Sequence, residues 1–340
     1  MGEDDLIQRT FAPLAAGFPG AFGLRDDCAV LAPPAGHDLV VTTDAVAEGV
    51  HFFSDDAARD IAWKALAVNV SDLIAKGATP IAYLLSLSFP EEPARAWLDE
   101  FAAGLAEAQA AFGLSLAGGD TDCRPWPASA TVAAFGSVLA GRMVRRAGAR
   151  AGDRLFVSGT IGDSALGLKL RFDPGLAGAL GLDATHVAPL LARYLRPRPP
   201  LALAPLLLEF ASAAMDVSDG LLRDCGRLAG VSGVAAHIEG VRVPLSAAAR
   251  AVVSADPGSF RTVLTGGDDY QVLAAIAPDR AEAFQAAARA SGVDVTEIGA
   301  LGGGTGLSVT ALDGHPLAFE GGGWDHFPAP GAARPHDKPK

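Results

Sequence analysis

The sequence predicts a protein of two domains, each mixing strands with helices. Three observations carry this. The chain has 340 residues, 50% of them hydrophobic, which is more than one core of ordinary size absorbs. Its apolar residues switch repeatedly between the twofold spacing of strands and the 3.6-residue spacing of helices. Near the middle, over residues 141–152, small residues interspersed with Arg142, Arg145, Arg146 and Arg150 interrupt that pattern. The expected division is a first domain over 1–147, a second over 148–327, and a disordered tail over 328–340 rich in Pro, Gly, Ala and charge.

In the first domain, Leu39-Val40-Val41-Thr42-Thr43 is β-branched and reads as a buried strand ending on Asp44. Residues 59–76 have helical spacing and stop at Gly77, with Pro80 beyond. Asn69 and Asp72, three apart, share a face of that helix. A second strand covers 81–89, and an amphipathic helix covers 93–112 up to Gly113. A strand over 114–117 runs into a turn at Gly118-Gly119-Asp120-Thr121, and 131–139 is another strand. In the second domain, 153–158 is a strand and Gly159-Thr160-Ile161-Gly162-Asp163 leads into a helix. The most apolar stretch, 201–215, is broken by Pro205 and Glu209 and falls short of the roughly 20 residues of a membrane span. It reads as a core helix. Met215-Asp216-Val217-Ser218-Asp219-Gly220 follows, with Ser218 or Asp219 placed to cap a helix running to Leu228. Gly266-Gly267-Asp268-Asp269-Tyr270 then precedes a strand.

Lys and Arg number 27 against 39 Asp and Glu, a net charge of −12, which repels a phosphate backbone and argues against nucleic acid as a partner. Cys28, Cys123 and Cys225 are too few and too scattered for a disulfide framework, so a reduced, cytoplasmic protein is expected, with Cys28 a small buried residue. The acidic start Met1-Gly2-Glu3-Asp4-Asp5 lacks the basic region and apolar run of a secretory signal, and Leu6 stands where myristoylation wants Ser or Thr. No membrane association is expected.

The chemistry lies in the acids. Asp26, Asp27, Asp44, Asp72, Asp120, Asp216, Asp219, Asp268 and Asp269 are grouped in short segments, Asp44, Asp72, Asp120, Asp219 and Asp268 directly beside Gly, Ser or Thr, and most of the nine lie at the ends of apolar strands. A lone Gly-Asp pair marks a turn and a lone Ser-Asp-Gly a helix cap. Their number in one chain points further, because carboxylates that converge without a cation repel one another. Mg²⁺, which takes oxygen ligands in strict octahedral geometry, resolves that conflict. Thr42 and Thr43 would add oxygen donors. No Gly-x-x-x-x-Gly-Lys-Ser/Thr loop, strand-borne Gly-x-Gly-x-x-Gly, Gly-x-Ser-x-Gly elbow or His-Glu-x-x-His is present. What remains for handling polyphosphate is binding through several metal ions, with glycine turns and a few arginines completing the clamp.

Taken in order and spacing, several segments resemble the thiamine-monophosphate kinase family: Arg25-Asp26-Asp27-Cys28-Ala29-Val30-Leu31, 41–52 with Thr42-Thr43-Asp44 and Glu48-Gly49-Val50-His51, Ala67-Val68-Asn69-Val70-Ser71-Asp72-Leu73, Gly118-Gly119-Asp120-Thr121, Met215-Asp216-Val217-Ser218-Asp219-Gly220-Leu221, Gly266-Gly267-Asp268-Asp269-Tyr270, and Gly323-Trp324-Asp325-His326-Phe327. The resemblance covers nearly the whole chain to Phe327. It implies an α+β, two-domain architecture like that of aminoimidazole ribonucleotide synthetase, with mixed sheets packed by helices. The first domain would bind ATP and magnesium and form a homodimer through its sheet. The implied reaction is ATP-dependent phosphorylation of thiamine monophosphate to thiamine diphosphate by direct in-line transfer, assisted by several Mg²⁺ ions.

Carried over by position, Asp27, Thr42, Thr43, Asp44, Asp72, Asp120, Asp216 and Asp219 are expected magnesium ligands, with Asp44, Asp72, Asp120 and Asp216 central to catalysis. Gly119, Asp120, Arg146 and Ser218 are expected ATP contacts, and His51, Asp268 and Trp324 substrate contacts. The family usually has glutamate where this chain has Asp268, and glycine where it has Arg25. Two alternatives stay open: another ATP-dependent synthetase of that superfamily, which in the selenophosphate case wants a reactive Cys near a glycine-rich start, and a nucleotide- and metal-binding scaffold of the hydrogenase-maturation kind, which uses a C-terminal cysteine.

Overall fold

The computed structural model describes residues 3–319. Short helical segments begin it: α1 (Glu3–Leu6), a π-helical turn Ile7–Phe11, α2 (Ala12–Ala15) and a 3-10 segment Pro19–Leu24. They bury Phe11, Ala15 and Ala21 against the β3 edge of the first sheet. That sheet holds β1 (His37–Ala47), β2 (Thr79–Phe89), β3 (Ser115–Cys123) and β4 (Ser129–Leu139) in the order β1-β4-β2-β3. β4 is antiparallel to both neighbours, and β2 runs parallel to β3. α3 (Ala58–Ala75) and α4 (Arg95–Phe112) pack together beside it.

The second sheet holds β5 (Arg154–Ser158), β6 (Ala211–Val217), β7 (Ala235–Glu239), β8 (Gln271–Ile276), β9 (Val295–Gly302) and β10 (Gly306–Thr310) in the order β10-β7-β9-β5-β8-β6. Every pair is antiparallel except β10 beside β7. Around it lie α5 (Asp163–Phe172), α6 (Leu176–Ala179), α7 (Ala184–Leu195), α8 (Ala204–Phe210), α9 (Leu221–Ser232), α10 (Ala247–Ala255), α11 (Ser259–Thr265) and α12 (Ala281–Ala290). α3 touches β1, β2 and β4 of the first sheet and β6 and β8 of the second. Its burial on nearly all sides follows from that position. One apolar cluster accordingly runs from Leu66 and Leu73 through Val132 to Phe156, Ala214 and Phe284, and joins the two domains.

The structure departs from several expectations. β1 does not end at Asp44 but continues to Ala47, because β4 pairs with it along its whole length. Gly118-Gly119-Asp120 is not a turn; it lies inside β3, paired with Leu84, Leu85 and Ser86. A Cβ on Gly119 would sit 1.9 Å from the Leu85 carbonyl oxygen, so this glycine serves close strand approach rather than chain reversal. The stretch 201–215 is not one helix: α8 stops at Phe210 and the chain becomes β6, held by its ladder to β8. Neither Ser218 nor Asp219 caps α9; Gly220 occupies the N-cap, and the helix runs on to Ser232. Cys28 is exposed, not buried. The tail 328–340 lies outside the described residues.

Among the described residues no helix is long and apolar enough to cross a membrane. Beyond the reach of the amino-terminal segment, the face of the first sheet away from α3 is open, with Leu39, Val41 and Leu84 exposed.

Candidate active site

Three segments meet where α3 passes between the sheets. Asn69 accepts the Asp44 N–H on its Oδ1 at 2.9 Å and donates to the Ala65 carbonyl at 3.0 Å. One turn on, Asp72 accepts from the Thr42 hydroxyl, while Ser71 Oγ donates to Asp216 Oδ2 at 3.0 Å. The polar positions of an otherwise apolar helix thus hold a strand of each sheet. Asp219 follows in the turn after β6, near enough to Asp44 to act on its charge.

The electrostatics record the crowding. Burial, then the charges of Asp72 and Asp219, push the Asp44 carboxyl up to about 7 from an ordinary 3.8. Burial, then Asp72 and Asp224, push Asp216 well above the usual range, with Ser71 and Lys76 opposing. Lys76 donates to the Ala214 carbonyl at 2.8 Å, and burial lowers its pKa although Asp216 and Asp72 face it; Arg146 lies close enough to lower it further.

Two turns on the second domain are locked together beside this cluster. The Asp268 N–H donates to the Ser218 carbonyl and the Tyr270 N–H to the Val217 carbonyl, both at 2.9 Å. A Cβ on Gly267 would lie 2.2 Å from the Ser218 oxygen. Buried Asp224 accepts from the N–H groups of Ser218 (3.1 Å) and Asp219 (2.9 Å), which shapes the turn from inside. Asp268 accepts from the Tyr270 hydroxyl (3.1 Å) and from Lys64 Nζ (2.9 Å). Burial alone would raise the Asp268 carboxyl; Lys64, His51 and Tyr270 together hold it below its ordinary value. Burial, then Asp268, Asp44 and Asp216, push the Tyr270 hydroxyl up. His51 Nδ1 accepts the Ala47 N–H at 3.1 Å.

The remaining expected residues lie apart. The cross-strand row Asp44, Val132, Leu85, Gly119 spans the sheet from edge to edge, about 14 Å at the usual strand spacing. Asp120 occupies the next row, with Ala45, Thr131 and Ser86, and so the opposite face from Asp44. There it lines, with Asp26, Asp27, Gly119, Leu6, Phe11 and Leu24, an open cavity of about 830 Å³. Thr43 donates to the Val132 carbonyl at 2.9 Å, within the ladder. Within one chain the expected ligands therefore form two groups, Thr42, Asp44, Asp72, Asp216 and Asp219 at the domain junction and Asp27 with Asp120 in the cavity. Trp324 lies outside the described residues. Lys64, Ser71, Lys76, Asp224 and Tyr270 were not anticipated; polar residues at 64, 71 and 76 in a helix too apolar to face water are the signal that marks three of them.

The donor set is all oxygen, which suits a hard cation, and Arg227 pairs with Asp219 at its edge. Among the described residues no group of three or more His, Cys, Asp and Glu is arranged to hold an ion.

A pH dependence follows. Asp44 holds its proton more tightly folded than unfolded between about 4 and 7, so its contribution favours the fold below that window and is lost as pH rises through it. Chelator-treated protein should melt at falling temperature from pH 5 to pH 7.5, and Asp44→Asn should flatten the slope. An unchanged slope in the variant would remove Asp44 as the cause.

Family models for AIR synthase related proteins match the chain twice, the N-terminal domain over residues 25–138 and the C-terminal domain over 150–311. The thiamine-monophosphate kinase of Caulobacter vibrioides is 41% identical over 309 residues, 90% of this chain and 86% of its own. The chain belongs to the thiamine-monophosphate kinase family. The crystal structure of the thiamine-monophosphate kinase of Stenotrophomonas maltophilia K279a superposes with a TM-score of 0.77 at 39% identity, covering 86% of this chain and 91% of that one. The structure of AaThiL complexed with AMPPCP and TMP gives 0.75 at 32%, covering 96% and 99%. Family membership makes this protein a kinase, and the expected pair of AIR synthase-like α+β domains is the fold found.

Proposed function

We propose that the protein transfers the γ-phosphoryl group of ATP to the phosphate of thiamine monophosphate, directly and in line. The observation that carries this is the convergence of Asp44, Asp72, Asp216 and Asp219 from both domains on one junction, beside Lys76 and Arg146. The acceptor is already an anion and needs no strong base; the barrier is bringing two highly charged groups together. Magnesium, when bound, would neutralise and orient their oxygens. Asp44, Asp72, Asp216 and Asp219, with Thr42, would hold ions at the junction, and Asp27 and Asp120 would serve nucleotide phosphates at the cavity with Gly119. Lys76 and Arg146 would offer positive charge to a phosphate arriving at the junction, and Ser218 would be a further ATP contact. His51 and Asp268 would bind thiamine monophosphate. The test is incubation of the purified chain with ATP, Mg²⁺ and thiamine monophosphate. Thiamine diphosphate should appear, with inverted configuration at a chiral γ-phosphorus. No product would end the reading, and retained configuration would end the direct transfer.

The same reading makes the protein a cytoplasmic homodimer that joins through the first sheet. Leu39, Val41 and Leu84, with exposures of 37%, 57% and 37%, form an apolar face that water does not favour. Light scattering at micromolar concentration should give a dimer, and Val41→Asp a monomer that keeps its circular dichroism. A wild-type monomer would count against the dimer.

A further inference from the structure

Lys64 is 3% exposed, on a helix of the first domain, and burying an ammonium is costly unless its protons find partners. It has three. Nζ donates to the His51 carbonyl at 2.9 Å and to Asp268 Oδ2 at 2.9 Å, and lies 3.9 Å from the centroid of the Tyr194 ring. Tyr194, on α7, adds its hydroxyl to the same His51 carbonyl at 3.2 Å. One charge therefore ties the loop after β1 to a turn of the other domain.

That turn is held against its backbone preference. Asp268 and Tyr270 have φ of 69° and 49°, the left-handed region that side chains other than glycine disfavour. Such conformations persist only where the surroundings over-determine them. Here the Asp268 N–H is fixed by Ser218, Oδ1 by Tyr270 and Oδ2 by Lys64. Without Lys64, the carboxylate would lose its cross-domain ion pair and the His51 carbonyl a donor.

We propose that Lys64 is the positioning residue of the thiamine-phosphate side of the site, holding His51 and Asp268 in register across the domain junction. This rests on the function proposed above. It also explains how an aspartate can serve at 268, since its position is set by an ion pair as well as by its backbone.

The test is steady-state kinetics on Lys64→Met and Lys64→Arg. In Lys64→Met the KM for thiamine monophosphate should rise 10- to 100-fold while that for ATP changes less than about twofold, and Lys64→Arg should recover part of the loss. In an Asp268→Asn background, Lys64→Met should add little. Equal rises in both KM values, no rise for thiamine monophosphate, or independent multiplication of the two substitutions would each overturn the proposal. Should Lys64→Met fold too poorly to assay, Lys64→Arg alone decides it, since a misfitting guanidinium must raise the thiamine monophosphate KM several-fold without moving that of ATP. A wild type that makes no thiamine diphosphate would overturn the functional reading and this proposal with it; a productive wild type without the KM split overturns only the latter.

Discussion

Replacing Asp72 by asparagine should lower kcat by about a hundred- to ten-thousand-fold, several kcal/mol of lost transition-state stabilisation, at saturating Mg²⁺. Asp72 is the acid on α3 that bears on both domains: it accepts from Thr42 on β1 and acts on the charges of Asp44 and Asp216. Asparagine keeps the shape and can still accept from Thr42. The chelator-treated variant should melt at higher temperature than the wild type, because a charge has left a crowded group of acids. Opposite signs for rate and stability separate a cation-holding acid from a structural one. Near-normal turnover would sink the role, and a fall in melting temperature would recast Asp72 as a structural acceptor.

Gly119→Ala should be the most damaging small substitution in the first domain. Its Cβ would meet the Leu85 oxygen at 1.9 Å and the Leu85 carbonyl carbon at 2.9 Å, both backbone atoms of the paired strand. β3 must then move off β2, at a cost of about 3 kcal/mol, the upper part of the range for overpacking. The shift carries Asp120 and the cavity wall with it, so the KM for ATP should rise about tenfold. Gly118→Ala makes the control: its nearest neighbour is the end of the Leu84 side chain at 3.3 Å, which can give way. Equal melting temperatures for the two variants would show that β3 is not held by close approach at Gly119.

Local pattern carried well where an element is held by its own residues. α3 and α4 lie within two residues of the expected helices, and β2, β4 and β5 likewise. It failed where pairing decides. β1 outruns its apolar run because β4 continues beside it, and Gly118-Gly119-Asp120 reads as a turn until β2 is placed against it. Ala211 to Ala214 carry no strand signal of their own; β8 makes them a strand. The segments that form α10 to α12, β9 and β10 carry weak local signals of their own.

By itself, the sequence determined the family, the α+β class and the inventory of acids, because short motifs in fixed order constrain which backbone and which donor atoms can be present. Only the tertiary structure decided how those acids are divided. Strand order sets β1 and β3 at opposite edges, and the pleat turns Asp44 and Asp120 to opposite faces, so acids close in motif order separate into a junction group and a cavity group. The structure also chose Lys64, a residue with no motif of its own, since what an ammonium does in a buried helix depends on which carbonyl and carboxylate the other segments bring within 3 Å of it.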